Sequence, residues 1–151
     1  MADDRDLGPR LSERLGYLFK HAMLELETLH EEHLAPFGIS ARELAVLLFL
    51  DGREPESQQQ AAQRLGVDRT TMVALLDTLE GKALVARRPD AQDRRRNVVE
   101  LTDAGRTTLA GAGRASDEAE QRLLADLDAE EAAQLRQLLG RLAEGRADND
   151  G

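Results

Sequence analysis

From residue 10 to residue 34, apolar side chains recur at spacings of three and four: Leu11, Leu15, Leu18, Ala22, Leu26 and Leu29. That period predicts one long amphipathic helix with this stripe as its core face. Phe19 and Met23 widen the stripe beyond what a small neighbouring module needs. At about 1.5 Å per residue the helix is roughly 35 Å long, too long for one small core. Pro36 and Gly38 stop it.

Ser40-Ala-Arg-Glu43 reads as a capping box that opens a second helix. Leu44, Leu47 and Leu48 stand at i, i+3 and i+4 on it, with Val46 and Leu50 beside them, and Asp51-Gly52 ends it. Ser57-Gln-Gln-Gln60 starts a short third helix that carries Ala61, Ala62 and Leu65. Gly66 supplies a left-handed stop, Val67 plugs the angle between helices, and Asp68 caps a fourth helix running from Arg69 to Gly81 or Lys82. Met72, Leu75, Leu76 and Leu79 face inward on it. Thr70, Ala74 and Asp77 face the opposite way, and Arg69, Thr71, Val73 and Thr78 lie toward the flanks. A short helix, a tight turn and a second helix with a small, polar outer face is a helix-turn-helix. The same geometry also occurs as a helical hairpin that never meets DNA.

The period then changes. Leu84–Pro89 and Val98–Thr102 are short, apolar or β-branched arms around a polar middle, which predicts a hairpin with a long loop. Arg87 to Arg96 holds five Arg against two Asp, a local charge of +3 in a chain of net charge −9. A solvated hairpin tip would account for that charge. So would a wing that contacts phosphate or enters a narrow minor groove, where arginine is favoured. Its place directly after a helix-turn-helix favours the wing.

Thr102 caps a fifth helix with Leu109, Ala112, Ala119, Leu123 and Leu127 as its buried stripe. Gly111 and Gly113 inside it cost on the order of 1 kcal/mol each. Close helix approach or a flex point would offset that. Asp128-Ala-Glu-Glu131 caps a last helix with Leu135, Leu138, Leu139 and Leu142 on its apolar face. Seven acids and one Arg between Ala115 and Leu135 put a charge of −6 in this terminal region, away from the hairpin. Residues after Gly145 are expected to fray.

The totals narrow the possible functions. A chain of 151 residues suits one domain, and no apolar run approaches the roughly 18–20 residues of a membrane span. The charged start lacks the apolar run of a signal peptide, so cytoplasm is the expected compartment. Cys is absent, which excludes disulfides, thiol sensing and Cys-zinc sites. Three Phe, one Tyr and no Trp argue against a stacking platform for single strands. Eighteen of the twenty basic residues are Arg, suited to bidentate recognition, although a GC-rich genome produces the same bias. No nucleophile–base pair or glycine-rich phosphate loop stands out. No enzyme is expected, and no cofactor.

Leu84-Val85-Ala86-Arg87-Arg88-Pro89-Asp90-Ala91-Gln92-Asp93-Arg94-Arg95, followed by Leu101-Thr102-Asp103-Ala104-Gly105, resembles the wing motif of the MarR family of bacterial transcription regulators. The similarity extends over about residues 10 to 145. It implies a mainly α chain with a small β-hairpin wing, an α+β winged helix-turn-helix with N- and C-terminal dimerisation helices. The whole chain, residues 1–151, is then a single winged-helix domain, with dimerisation helices at 10–35 and 115–145 and a DNA-binding region at 40–102. The resemblance implies a homodimer, and repression of transcription becomes the expected activity. Two reading helices would enter successive major grooves of a pseudo-palindromic duplex operator, roughly 34–36 Å apart.

By the same resemblance, Arg69, Thr70, Thr71 and Val73 meet the major groove with Ala74 behind them. Many relatives carry a basic residue where Ala74 stands, which shifts weight to the wing and to DNA shape. In the wing, Arg87, Arg94, Arg95 and Arg96 face DNA, one arginine enters the minor groove, and Asp93 supports the loop. Ser57, Gln58 and Gln59 offer a helix N-terminus to phosphate. A small-molecule effector is expected to release the DNA, and Tyr17, His21, Phe37 and Phe49 are candidates for its cleft. His30 and His33 share a helix face near Glu27 and Glu31, with His21 upstream. A zinc-responsive regulator of the same fold is therefore one alternative, against solvated or helix-capping histidines. A winged-helix module that binds another protein is the other.

Overall fold

The computed structural model describes residues 8–145, so the expected fraying after Gly145 and the outer ends of the domain lie outside the described residues. The elements in order are α1 (Pro9–Ser12), α2 (Leu15–Leu34), a 3-10 turn (Ala35–Phe37), α3 (Ala41–Leu50), β1 (Glu56–Ser57), α4 (Gln58–Leu65), α5 (Arg69–Gly81), β2 (Val85–Pro89), β3 (Asn97–Leu101), α6 (Asp103–Leu123) and α7 (Ala129–Glu144). The expected α+β winged helix-turn-helix is the observed architecture. Several local features differ from the sequence reading.

The single first helix is in fact two. Arg14 is extended, at φ −75° and ψ 135°, and separates α1 from α2. Nothing in α1 is buried, so no tertiary contact offsets a break in its hydrogen-bond ladder. The stripe expected to be a core face is largely uncovered: Leu11, Leu15, Leu18, Phe19 and Met23 are exposed. Only the C-terminal half of α2 turns inward, as it packs along α6, and Leu34 is fully buried. On α3 the buried set is Leu44, Val46, Leu47 and Leu50, and Leu48 faces outward. The helix is rotated toward Val46 and Leu50, which pack with the hairpin and α6 in the common core.

A further difference is β1. Glu56 and Ser57 pair antiparallel with Val99 and Val98, so the sheet has three strands in the order β1-β3-β2. Two residues are too few to show a period of two, and Pro55 before them reads as loop. The strand places the start of α4 directly beside the wing.

Local capping holds the helix-turn-helix. The capping boxes at Ser40, Ser57 and Asp128 all form. Gly66 is left-handed at φ 67°, and the Val67 N–H donates to the Ala62 carbonyl at 3.1 Å, which closes the turn between α4 and α5. Met72, Leu76 and Leu79 of α5 are buried against α3 and the hairpin base. The two mid-helix glycines of α6, Gly111 and Gly113, differ. A Cβ on Gly111 would collide with the Phe37 ring, so close packing requires it, whereas Gly113 has nothing within 4 Å. Leu127, expected on the buried stripe, lies beyond the end of α6 and is exposed.

One buried carboxylate ties three of these pieces together. Glu43 accepts from the Ser40 N–H at 3.1 Å through Oε1 and from Lys82 Nζ at 2.8 Å through Oε2. Lys82, just past α5, also donates to the Gly38 carbonyl at 2.7 Å. Burial raises the Glu43 carboxyl, but the Lys82 ammonium and the Ser40 N–H outweigh it and hold the group below its ordinary value of 4.5. The linkage is therefore stabilising above pH 4.5 and is lost as pH falls through the lowered value. Because Lys82 is partly solvated, Glu43→Gln is expected to lower stability at neutral pH by about 1–2 kcal/mol. The wild-type advantage should then vanish in acid below the lowered value. Urea midpoints of both proteins across that range check it.

Candidate nucleic-acid interface

The predicted contact residues belong to three elements whose relative placement is now defined. β2 and β3 form the wing, in register from Val85 opposite Leu101 to Pro89 opposite Asn97. The loop between them is built by Asx turns. Asp90 Oδ1 accepts the Gln92 N–H at 3.0 Å, and Asp93 Oδ1 accepts the Arg95 N–H at 3.1 Å. The Arg96 N–H donates to the Asp93 carbonyl at 3.0 Å, and the Asp90 N–H to the Arg96 carbonyl at 2.9 Å. Asp93 Oδ2 lies 3.7 Å from Arg96 Nε. Asp93 thus sits inside the turn, with its acceptors spent on the loop backbone and on Arg96.

Of the five arginines of the wing, Arg96 lies against Asp93 within the loop, and the other four divide into two sets. Arg87 and Arg88, at the base, are neutralised by acids outside the loop: Asp77 at 2.6 Å from Arg87 Nη1, and Glu100 at 3.1 Å from Arg88 Nε. Arg94 and Arg95, at the tip, pair with no carboxylate among the described residues, and both are exposed. Arg87 therefore does not stand with the other expected DNA contacts. Its partners on α5 were hidden from the sequence because they lie ten and seven residues upstream.

An open cleft of about 290 Å³ is lined by Ser57, Gln58, Gln59, Arg69, Arg95, Arg96 and Asn97. It brings together the N-terminus of α4, the first residue of α5 and the wing tip. The Ser57 hydroxyl accepts the Gln60 N–H at 3.2 Å and is consumed by the cap. The first-turn N–H groups of Gln58 and Gln59 have no acceptor within the helix. Such a cleft suits an anion that approaches from solvent. The exposed face of α5 continues beside it. Thr70 and Ala74 are exposed, while Val73 is half-buried. The Thr71 hydroxyl donates to Asp68 Oδ2 at 2.8 Å, so it is already tied to the cap. The Thr71 N–H and hydroxyl hold the Asp68 carboxyl below its usual range.

The other candidate groups scatter. Tyr17 and His21 stack on α2 with ring centroids 4.2 Å apart. Phe37 abuts Gly111, and Phe49 lies under Arg53 at 4.4 Å. None of these four lines the cleft beside the wing or the cavity between α2 and α3. A larger open cavity of about 560 Å³ lies elsewhere, between α2 and the start of α3, lined by Met23, Glu27, His30, Glu31, Ile39 and Arg42 among others. Periodicity could not reveal it, because its walls come from two helices joined by an irregular turn. His30 Nε2 lies 3.1 Å from Ser116 Oγ, and His33 Nδ1 lies 2.7 Å from the Leu29 carbonyl. Among the described residues no three His, Asp or Glu side chains gather as metal ligands. No single described helix is long and apolar enough to cross a membrane.

A family model described as the MarR family matches residues 37–96. A helix-turn-helix transcriptional regulator of Bacillus subtilis (strain 168), YdgJ, is 30% identical over 105 residues, or 70% of this chain and 64% of that protein. The chain spans just under two thirds of the length of the curated relatives it matches. Among solved structures, the transcriptional repressor CouR bound to a 23-mer DNA duplex superposes with a TM-score of 0.84 at 36% identity, covering 89% of this chain and 96% of that one. CouR from Rhodococcus jostii RHA1 bound to p-coumaroyl-CoA superposes at 0.77 with 28% identity, covering 90% and 96%.

The turn geometry carries an expected outcome of its own. Asp93→Ala removes the acceptor for the Arg95 N–H and leaves the hairpin ladder intact. Hydrogen exchange at the Arg95 amide should quicken by about tenfold, the scale of one lost hydrogen bond of 1–1.5 kcal/mol. Exchange at Val98 and Val99 should not change.

Proposed function

The chain belongs to the MarR family, and from that premise we propose that it is a dimeric, sequence-specific regulator of transcription, a repressor, that binds a pseudo-palindromic duplex operator. The observation that carries this reading is the convergence of the α4 N-terminus, Arg69, Arg95 and Arg96 on one cleft beside the exposed face of α5. In this reading α5, residues 69–82 with its cap, lies in the major groove, where Thr70 and Ala74 meet base edges. The backbone phosphate sits at Gln58 and Gln59, and the wing tip, residues 90–97 with Arg94 and Arg95, enters the minor groove. The DNA-bound repressor among the similar structures supports it.

The dimer is supported by two apolar stripes that the protomer leaves uncovered. Leu15, Leu18, Phe19 and Met23 are exposed on α2, and Leu135, Leu138, Leu139 and Leu142 are exposed on α7. Broad packing of α7 on another element is absent among the described residues, where the Arg136 to Glu120 ion pair at 3.0 Å links it to α6. A helix with a solvated leucine stripe is unstable alone, and a second copy supplies the missing surface. A protein-binding winged helix would need no unpaired arginines at its wing tip, so the DNA reading is preferred.

Release by a small molecule is part of the proposal. The cavity of about 560 Å³ between α2 and α3 faces a joint between elements. Its lip, Gly38 to Arg42, is bonded through Gly38, Ser40 and Glu43 to Lys82 at the end of α5. An occupant that displaces the lip acts on the reading helix through those bonds. The neighbour bound to p-coumaroyl-CoA supports an acyl-type occupant class.

Two measurements test the proposal. In binding to a duplex selected from a random library, Arg95→Ala should weaken affinity by about tenfold at moderate salt and reduce the log–log salt slope by about one. Wild-type protein that selects no sequence, or an Arg95 variant of unchanged affinity, contradicts it. In sedimentation, wild type should run as a dimer, and Leu138→Asp should shift it to monomer by placing a charge within the apolar stripe.

A further inference from the structure

The geometry points to a clamp. We infer that Arg87 and Asp77 fix the wing against the reading helix, so that Arg87 is a positioning residue for DNA recognition and not a DNA contact. The inference rests on the DNA-binding reading above.

Arg87 leaves β2 on the same side as Val85, toward α5. Its side chain is only 16% exposed, whereas its neighbour Arg88 is 50% exposed and turns to the other face. Arg87 Nη1 donates to Asp77 Oδ1 at 2.6 Å and lies 3.7 Å from Glu80 Oε1, and Nη2 donates to the Val73 carbonyl at 3.3 Å. Val73, Asp77 and Glu80 stand at i, i+4 and i+7, so one guanidinium spans two turns of a single face of α5. Nε is buried without a partner. The side chain thus forgoes one hydrogen bond to hold this pose, which free solvent access would not require.

The covalent link between α5 and β2 is the short turn Lys82–Leu84, with Ala83 left-handed at φ 60°. A turn alone leaves the wing free to pivot about its base. A second tie, from the middle of β2 to the middle of α5, closes a triangle and removes the pivot. The angle between the element that reads the major groove and the element that reads the minor groove is then set before DNA arrives.

The clamp also explains Asp77. It is 61% exposed on the side of α5 away from the core. A free carboxylate there would repel phosphate as the helix enters a groove. Paired to Arg87 it presents little net charge. The pair therefore makes opposite predictions from two simpler readings. If Asp77 were a solvated bystander, removing its charge would tighten DNA binding. If Arg87 touched phosphate, removing it would lower the salt slope while Asp77→Asn did nothing.

The experiment uses the full chain and the duplex that wild type selects from a random library. Asp77→Asn, Arg87→Met and the double variant are compared with wild type. Asp77 is exposed, so Asp77→Asn keeps the fold, and thermal melts verify it for all three. The clamp predicts that each single variant weakens binding by about fivefold to tenfold and that the double variant is no weaker than either, the signature of one shared interaction. The salt slope should be unchanged. Hydroxyl-radical protection in the minor groove under the wing should fade, while methylation protection in the major groove persists. Tighter binding by Asp77→Asn, a salt slope lowered by about one in Arg87→Met, or additive losses in the double variant each overturn the clamp. Wild type that selects no duplex overturns instead the DNA-binding reading on which it rests.

Discussion

The Leu84 carbonyl is the point on which the architecture turns. It accepts the Thr102 N–H at 3.1 Å, and Gly105 packs so closely against it that a Cβ there has no room. The Leu84 N–H closes the end of α5 on the Leu79 carbonyl at 3.0 Å. The Thr102 hydroxyl donates to the Ala83 carbonyl at 2.7 Å while accepting the Gly105 N–H at 3.0 Å as the cap of α6. One residue thus ends the reading helix and begins the wing, and it seats the first turn of the helix that carries the rest of the chain. Ala83 accepts a left-handed backbone, at a cost of about 1 kcal/mol, because the bonds on either side of it leave no alternative. That joint seats α5, the wing and α6 against one another, and the Arg87–Asp77 pair adds a second tie between α5 and the wing.

Local chemistry explains why so much of this was legible beforehand. Caps at Ser40, Ser57, Asp68, Thr102 and Asp128 each depend on residues within three positions, and all were read from the sequence. So was the left-handed Gly66 between α4 and α5. The hidden features are those that depend on partners far along the chain. β1 exists because β3 offers it an edge. Gly111 is explained by Phe37, more than seventy residues upstream, while the same sequence logic treated Gly113 as its equal. The charge count of the wing was right as arithmetic and incomplete as chemistry, since Asp77 and Glu100 cancel two of its five arginines from outside the window.

That cancellation concentrates the remaining charge. A net charge of −9 repels a polyanion at long range, and the acids of α6 and α7 contribute much of it. At about 0.15 M salt the screening length is about 8 Å, so distant acids are muted while the wing tip and the α4 N-terminus keep their local field. A short arm that projects two unpaired arginines beyond the body works within such screening where a flat basic face would be unnecessary. In the proposed reading, the acidic remainder of the surface disfavours binding modes that do not lead with the wing.

The apolar surface obeys the same division of labour. The described core is built from α3, α4, α5, the hairpin base and the inner face of α6, and it is complete without α1, the outer half of α2, or α7. The first-helix stripe was expected to be a core face and the α7 leucines an apolar face, and within one chain neither the outer half of α2 nor α7 lines the core. The period of the pattern was read correctly, because helix formation and one-sided burial are all that a period reports. It cannot say whether the burying surface belongs to the same chain. A stripe that satisfies its own helix and finds no partner in its own fold specifies a surface whose complement must be supplied from outside. The chain's own support for that stripe runs out within α2, between the exposed Leu24 and the half-buried Leu26.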